Sequence, residues 1–252
     1  MPQPVKTILI TGASSGIGAA LARAHARAGV ILLLWGRDPS RLAETAAACR
    51  ALGAEVATEA FDIRDIGTLT AKLAAADAQT PIDLILFNAG LGGSVPDGAA
   101  ADAPEAAWAM AEVNFVAPVV GASLIADAMA RRGGGQIVLV GSIAESFPIP
   151  QAPVYAATKA GLRLYAEALG LRLAKHKVAV TLVSPGFIDT PMSRQVIEPK
   201  PFLMTAERAA GIIARGIARR KKRIVVPWQF GLIRGVAMLL PRALLRLILS
   251  RA

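Results

Sequence analysis

Cysteine is nearly absent: Cys49 stands alone in 252 residues, so no internal disulfide can form. Histidine is almost as scarce. His25 and His176, even joined by that one thiol, cannot furnish a zinc centre of the usual Cys/His kind, and no metal site is expected. Charged side chains make up only 18% of the chain against 54% hydrophobic ones, a balance that excludes a disordered polypeptide. Acidic residues are missing from one whole region. Between Arg208 and the end lie nine arginines, two lysines and no Asp or Glu, whereas the first 207 residues carry about −1. The excess of +10 therefore sits in the last 45 residues. Such asymmetry points to an anionic surface, with a solvated basic helix face as the plainer reading.

What is present is a regular alternation. Short apolar runs at 5–10, 30–35, 55–61, 83–87, 136–140, 178–183 and 223–226 read as strands. Several are apolar on both faces, as in a parallel sheet covered by helices. Between them, residues 17–28, 40–52, 66–76, 105–131, 155–175 and 206–219 have helical period. The expectation is an α/β fold, a doubly wound, Rossmann-like parallel sheet of about seven strands with helices on both faces. One domain over 1–227 is expected, with a basic, apolar helical extension over 228–252. The chain enters a strand-like run at once, so no secretory leader is expected and a reducing, cytoplasmic setting follows.

The first strand runs into Thr11-Gly12-Ala13-Ser14-Ser15-Gly16-Ile17-Gly18 and then a helix. Glycines there let the chain turn sharply and bring backbone N–H groups against a pyrophosphate at a helix N-terminus. The second strand ends in Gly36-Arg37-Asp38, where a dinucleotide fold preferring NAD usually carries an acid. An arginine fork grips a 2′-phosphate that a carboxylate would repel, so Arg37 favours NADP(H). Asp38, before Pro39, reads as the cap of the next helix.

Tyr155 and Lys159 are spaced i, i+4 and emerge on one helix face, where the lysine cation is expected to lower the phenol's pKa. Ser142 follows the strand at 136–140, which places its hydroxyl at the carboxyl edge of the sheet, where ligands bind in open α/β folds. His25 reads as a packing or surface residue, His176 as a helix-end imidazole, Cys49 as a small buried or half-buried side chain, and Arg131-Arg132-Gly133-Gly134-Gly135 as a helix end and turn.

From Thr7 to about Pro227 the chain resembles the short-chain dehydrogenase/reductase family, in the subfamily of about this length. The resemblance rests on the glycine turn at 11–18, Asp62, Asn88-Ala89-Gly90, Asn114, Ser142, Tyr155-x-x-x-Lys159 and Pro185-Gly186-x-x-x-Thr190. It implies that Tyr155 is the acid/base and Ser142 holds the substrate oxygen. Lys159 binds the nicotinamide ribose, and Asn114 holds a water linking Lys159 to solvent. Gly12, Ser14, Ser15, Gly16, Ile17 and Gly18 would cradle the cofactor, with Arg37 beside them. Asp62 would meet the adenine, with Ile63 also at the cofactor, and Asn88 would brace the central sheet near the cofactor, beside Ala89 and Gly90 of its binding site. Pro185, Gly186, Ile188 and Thr190 would grip the nicotinamide. One departure stands out: Phe87 occupies the place where the family often has a first asparagine before Asn88. The stretch 191–204, rich in Met, Phe and Pro, is expected to act as a lid.

The expected activity is thus NADP(H)-dependent interconversion of a ketone and a secondary alcohol. A cofactor-binding sensor or scaffold without turnover, and a reductase of small polar sugars or alcohols, are the alternatives. The resemblance also implies a homodimer or homotetramer formed through the helices carrying Asn114 and Tyr155. In the extension, Phe230, Ile233, Ala237, Leu240, Leu244, Leu247 and Ile248 recur at helical spacing, interleaved with Arg234, Arg242, Arg246 and Arg251. Pro241 should break this into two short helices. From Arg219 to the end the longest charge-free run is the ten residues 224–233, far short of the roughly twenty a spanning helix needs. The expectation is peripheral association with an anionic membrane and a hydrophobic, lipid-like ketone, the other reading being a fold-back over the substrate pocket or onto a partner subunit. No recognition motif accompanies the charge, so no nucleic acid is expected.

Overall fold

The computed structural model describes residues 5–194 and 199–239. β1 (Thr7–Thr11) is buried at every position because both of its faces are covered. Side chains alternate across a strand, so Ile8 and Ile10 join one apolar cluster and Leu9 the other. The same logic holds for β2 (Ile31–Gly36), β4 (Leu84–Phe87), β5 (Gly135–Val140) and β6 (Val178–Pro185). β3 (Glu55–Ala60) is exposed along almost its whole length and ends the sheet on one side. Its glutamates blunt an otherwise open edge, and Lys72 pairs with Glu59 at 2.8 Å.

α1 (Gly16–His25) and α2 (Pro39–Ala51) cover one face with α8 (Ala206–Ala218). α3 (Ile66–Gln79), α5 (Ala117–Arg131) and α6 (Pro153–Leu173) cover the other, and α4 (Pro104–Ala111) precedes α5. Two short strands, β7 (Ile188–Asp189) and β8 (Met204–Thr205), pair in parallel and close the base of the loop that begins with α7 (Pro191–Arg194). The last strand, β9 (Arg223–Val226), pairs with β6, and α9 (Gln229–Leu239) follows it. The seven-stranded parallel sheet has the order β3-β2-β1-β4-β5-β6-β9, the doubly wound arrangement read from the sequence. Strand order reverses between β1 and β4, and the crevice at their carboxyl ends is where such sheets bind ligands.

Two expectations need correction in detail. Residues 105–131 form two α-helices separated by a π-turn over Glu112–Val116, in which the Ala117 N–H donates to the Glu112 carbonyl. Pro118 is the cause on physical grounds: it has no N–H for the Asn114 carbonyl, and its ring crowds that oxygen. The helix starting near Tyr155 ends at Leu173 and continues as a 3₁₀ turn through His176. Asp38 does cap α2, accepting from the Arg41 N–H at 3.0 Å. Cys49 is buried, and His25 is buried too, its imidazole pushed down to about 4 by burial and by Arg27. In the extension, Leu240, Pro241, Arg242, Leu244, Arg246, Leu247, Ile248 and Arg251 lie outside the described residues.

Candidate active site

The glycine turn is built by close backbone approach. Gly12 has φ +66°, and a Cβ there would lie 2.8 Å from the Ala89 Cα. A Cβ on Gly18 would come within 2.2 Å of the Gly12 carbonyl oxygen, so only glycine lets α1 start this near β1. Asn88 locks the turn from the neighbouring strand: its Nδ2 donates to the Thr11 and Gly12 carbonyls at 3.1 and 3.2 Å. Thr11 Oγ1 in return accepts the backbone N–H groups of Asn88 and Ala89. Ser15 caps α1 by position only, without a side-chain bond, which leaves first-turn N–H groups uncapped at the cavity.

That cavity, about 910 Å³, runs from Arg37 at the end of β2 to Met192 in α7. Every residue expected at the site lines it except Gly18, which lies beneath the turn, and Asn114, which stands just behind the cavity wall. Arg37 is exposed at its outer end. Asp62 lies opposite, gripped by Arg64 through Nε at 3.0 Å and NH2 at 2.6 Å. Those bonds hold its carboxyl below the ordinary range, with a smaller pull from Arg37.

At the inner end, Ser142 begins a 3₁₀ turn over Ile143–Ser146. Its Oγ accepts the Ala144 N–H at 3.2 Å, so its own proton is left to donate outward. Lys159 is buried, its Nζ donating to the Val140 carbonyl at 3.1 Å. Burial pushes this ammonium down to about 8. Tyr155 departs from expectation. Burial pushes its phenol up, with the Ser142 hydroxyl pulling part of the way back, where a lowering beside Lys159 was expected. The lysine Nζ lies 5.8 Å from the tyrosine ring centroid, over the ring face.

Asn114 sits in the π-turn with both ends of its amide on one residue: Oδ1 accepts the Leu91 N–H at 2.8 Å and Nδ2 donates to the Leu91 carbonyl at 2.9 Å, and also to the Thr158 hydroxyl at 3.4 Å. Gly90 keeps open the space before it. A Cβ there would lie 3.3 Å from Asn114 Oδ1 and 3.6 Å from Lys159 Nζ. On the far side, the Gly186 N–H donates to the Val226 carbonyl at 2.6 Å, Ile188 is buried, and Thr190 exchanges hydrogen bonds with Ser193. Phe87 packs against Gly121, whose missing Cβ would lie 2.6 Å from the ring.

Sequence reasoning missed several residues. Phe187, Met192 and Ile149 give the inner end of the cavity an apolar wall, and nothing in their local pattern announces that. Phe230 of α9 packs over Gly186 and stands edge-on to Phe187 and Phe202, with centroids 6.2 and 5.6 Å away. The first turn of the C-terminal segment therefore braces the loop beside the cavity. Glu145, fully buried behind Ser142, was legible as Ser-x-x-Glu, a capping-box spacing.

The model of the family described as short chain dehydrogenase matches residues 6–201. An oxidoreductase of Myxococcus xanthus (strain DK1622) is 30% identical over 244 residues, covering 95% of this chain and 94% of its own. A short-chain dehydrogenase from Sphingobium yanoikuyae, solved in complex with NADPH, superposes with a TM-score of 0.79 at 27% identity, covering 95% of this chain and 98% of its own. The bulky-bulky ketone specific alcohol dehydrogenase from Comamonas testosteroni gives 0.79 at 26% identity, covering 96% and 97%.

Proposed function

The chain belongs to the short chain dehydrogenase family, and on that premise we propose that it is an NADP(H)-dependent oxidoreductase interconverting a bulky, apolar ketone and its secondary alcohol. The observation that carries this reading is one continuous cavity joining the glycine turn and Arg37 to Ser142, Tyr155 and Lys159. The turn fits a dinucleotide because Gly12, Gly16 and Gly18 leave no Cβ in the cradle, while α1 offers uncapped N–H groups. Arg37 supplies a charged fork where a 2′-phosphate would lie.

The bound nicotinamide supplies or accepts the hydride; the rest falls to the protein. Ser142 directs its free proton at the substrate oxygen, where charge develops. Tyr155, kept protonated by burial, delivers its phenolic proton to that oxygen in reduction and recovers it in oxidation. Lys159 spends one of three ammonium donors on Val140 and keeps two for the cofactor ribose and for a water in the space that Gly90 leaves before Asn114. Met192, Ile149 and Phe187 exclude water and suit an apolar substituent better than a sugar.

The test follows absorbance of the reduced cofactor with NADPH and NADH against long-chain acyl ketones, steroids and sugars. Turnover with NADPH and the apolar ketones, abolished in Tyr155→Phe while NADPH still binds, is expected. Binding without turnover on any substrate refutes it in favour of a sensor or scaffold. Preference for sugars would instead select the polar-substrate alternative.

Two surfaces support the remaining expectations. Trp108 on α4 and Leu164 and Leu171 on α6 are exposed apolar side chains. They suit pairing of a second copy on these helices, to be read as a dimer or tetramer by light scattering. Trp228 is 66% exposed, Leu232 and Ile233 are exposed on α9, and the basic run Arg219–Arg223 precedes them along the chain. This combination suits an anionic bilayer at the cytoplasmic side. Sedimentation with anionic but not neutral liposomes, lost in a chain ending at Pro227, is the outcome expected.

A further inference from the structure

Behind Ser142 lies a carboxylate for which the chemistry above has no use. Glu145 has no exposed side-chain surface, and its two oxygens are held from three neighbouring strand ends. Oε2 accepts the Ser142 N–H at 3.2 Å, after β5. Oε1 accepts the Ser184 hydroxyl at 2.8 Å, from β6, and pairs with the Arg223 guanidinium of β9. Gly141 makes room for it: a Cβ there would lie 2.4 Å from Oε2. The Ser142 side chain returns the bond by accepting from the turn that carries Glu145, completing a reciprocal capping box.

We propose that Glu145 is a positioning residue for the reaction, fixing the Ser142 hydroxyl through the capping box and anchoring that turn to Ser184 and Arg223. The inference rests on the reading of Ser142 as the group that holds the substrate oxygen. A buried ion pair is poor value as plain stability, since apolar residues of similar volume hold a core as well or better. What the charge adds here is direction. An ionised carboxylate draws the Ser142 N–H inward, the Ala144 N–H takes one Oγ lone pair, and the hydroxyl proton is left to face the cavity. Ser184 immediately precedes Pro185 and Gly186, so the same carboxylate sets Ser142 against the loop on the nicotinamide side. Its charge also faces Tyr155 and Lys159 and favours the protonated form of both.

The experiment is a double-mutant cycle on the full chain with Glu145→Ala, Ser142→Ala and the pair, and with Glu145→Gln as the conservative variant. Read-outs are kcat and KM for the best ketone, NADPH affinity by fluorescence, and melting temperature. Loss of a donor to the developing charge lowers kcat by about a hundredfold or more in Ser142→Ala. Misplacing it lowers kcat by about tenfold or more in Glu145→Ala, with NADPH affinity within about twofold of wild type. Glu145→Gln, which still caps, falls between. In the Ser142→Ala background the Glu145 effect shrinks to about twofold, because the group it positions is gone. A Glu145→Ala enzyme that melts earlier but keeps its kcat overturns the proposal, as does an undiminished loss in the Ser142→Ala background. If the alanine variant fails to fold, the same cycle with Glu145→Gln decides. Unchanged kcat in Ser142→Ala alone would instead overturn the underlying reading of the site.

Discussion

Replacing Lys159 with methionine should make the protein more stable at neutral pH while abolishing turnover. Lys159 is buried, and its folded pKa is depressed from 10.5 to about 8. At pH 7 it is charged both folded and unfolded, and the folded state carries a desolvation penalty of about 3 kcal/mol from that difference. Between about 8 and 10.5 the folded lysine has released its proton while the unfolded one has not. The unfolded state then binds more protons, stability rises with pH, and the penalty fades. Methionine removes the cation at similar length but forfeits the bond to the Val140 carbonyl, worth about 1 kcal/mol. The net gain at pH 7 is about 2 kcal/mol, or roughly 5 °C in a chain of this size. At pH 9.5 about 1 kcal/mol of penalty remains, and the two proteins should melt nearly together. Calorimetry of both chains without cofactor at the two pH values measures this, since groups other than Lys159 titrate alike in both. A variant that melts below wild type at pH 7, or a difference that does not change with pH, would refute the reasoning.

Arg37→Asp should shift the ratio of NADPH to NADH affinity by about tenfold to a hundredfold towards NADH, since a charge-assisted contact is lost and repulsion added. Equal wild-type affinity for the two cofactors by fluorescence titration would sink this use of Arg37. Gly18→Ala forces a methyl against the Gly12 carbonyl and should cost about 1–3 kcal/mol of stability as well as NADPH affinity. A variant that melts and binds NADPH like wild type would contradict the close approach of α1 to β1. Phe230→Ala removes the ring packed on Gly186, Phe187 and Phe202. It should raise KM for an apolar ketone several-fold with little change in NADPH affinity, and unchanged ketone kinetics would exclude α9 from the site.

Much of the site was legible because its pieces are local. The glycine turn, the Asp38 cap and the i, i+4 pair Tyr155–Lys159 each lie within a few residues of chain, where backbone geometry dictates what neighbours can do. Runs apolar on both faces, such as β1 and β5, announced a sheet covered on both sides, because only burial on both faces tolerates them. The π-turn was not legible, although Pro118 gave a hint, because whether a helix absorbs a proline by widening or by breaking depends on what packs around it.

The sequence alone determined the order of elements, the place of the cofactor turn and the identity of the polar groups beside it. Hydrophobic periodicity, glycine conformational freedom and helical spacing all act over short range. Only the tertiary structure decided how those groups are tuned. Burial sets the protonation of Tyr155 and Lys159, and it arises from every element packed around α6. The clamp on Ser142 joins Glu145 to Ser184 and Arg223, 39 and 78 residues further on. Phe230 reaches Gly186 only because β9 lies beside β6. Desolvation and contacts between distant segments depend on the packed whole, and no window of sequence contains them.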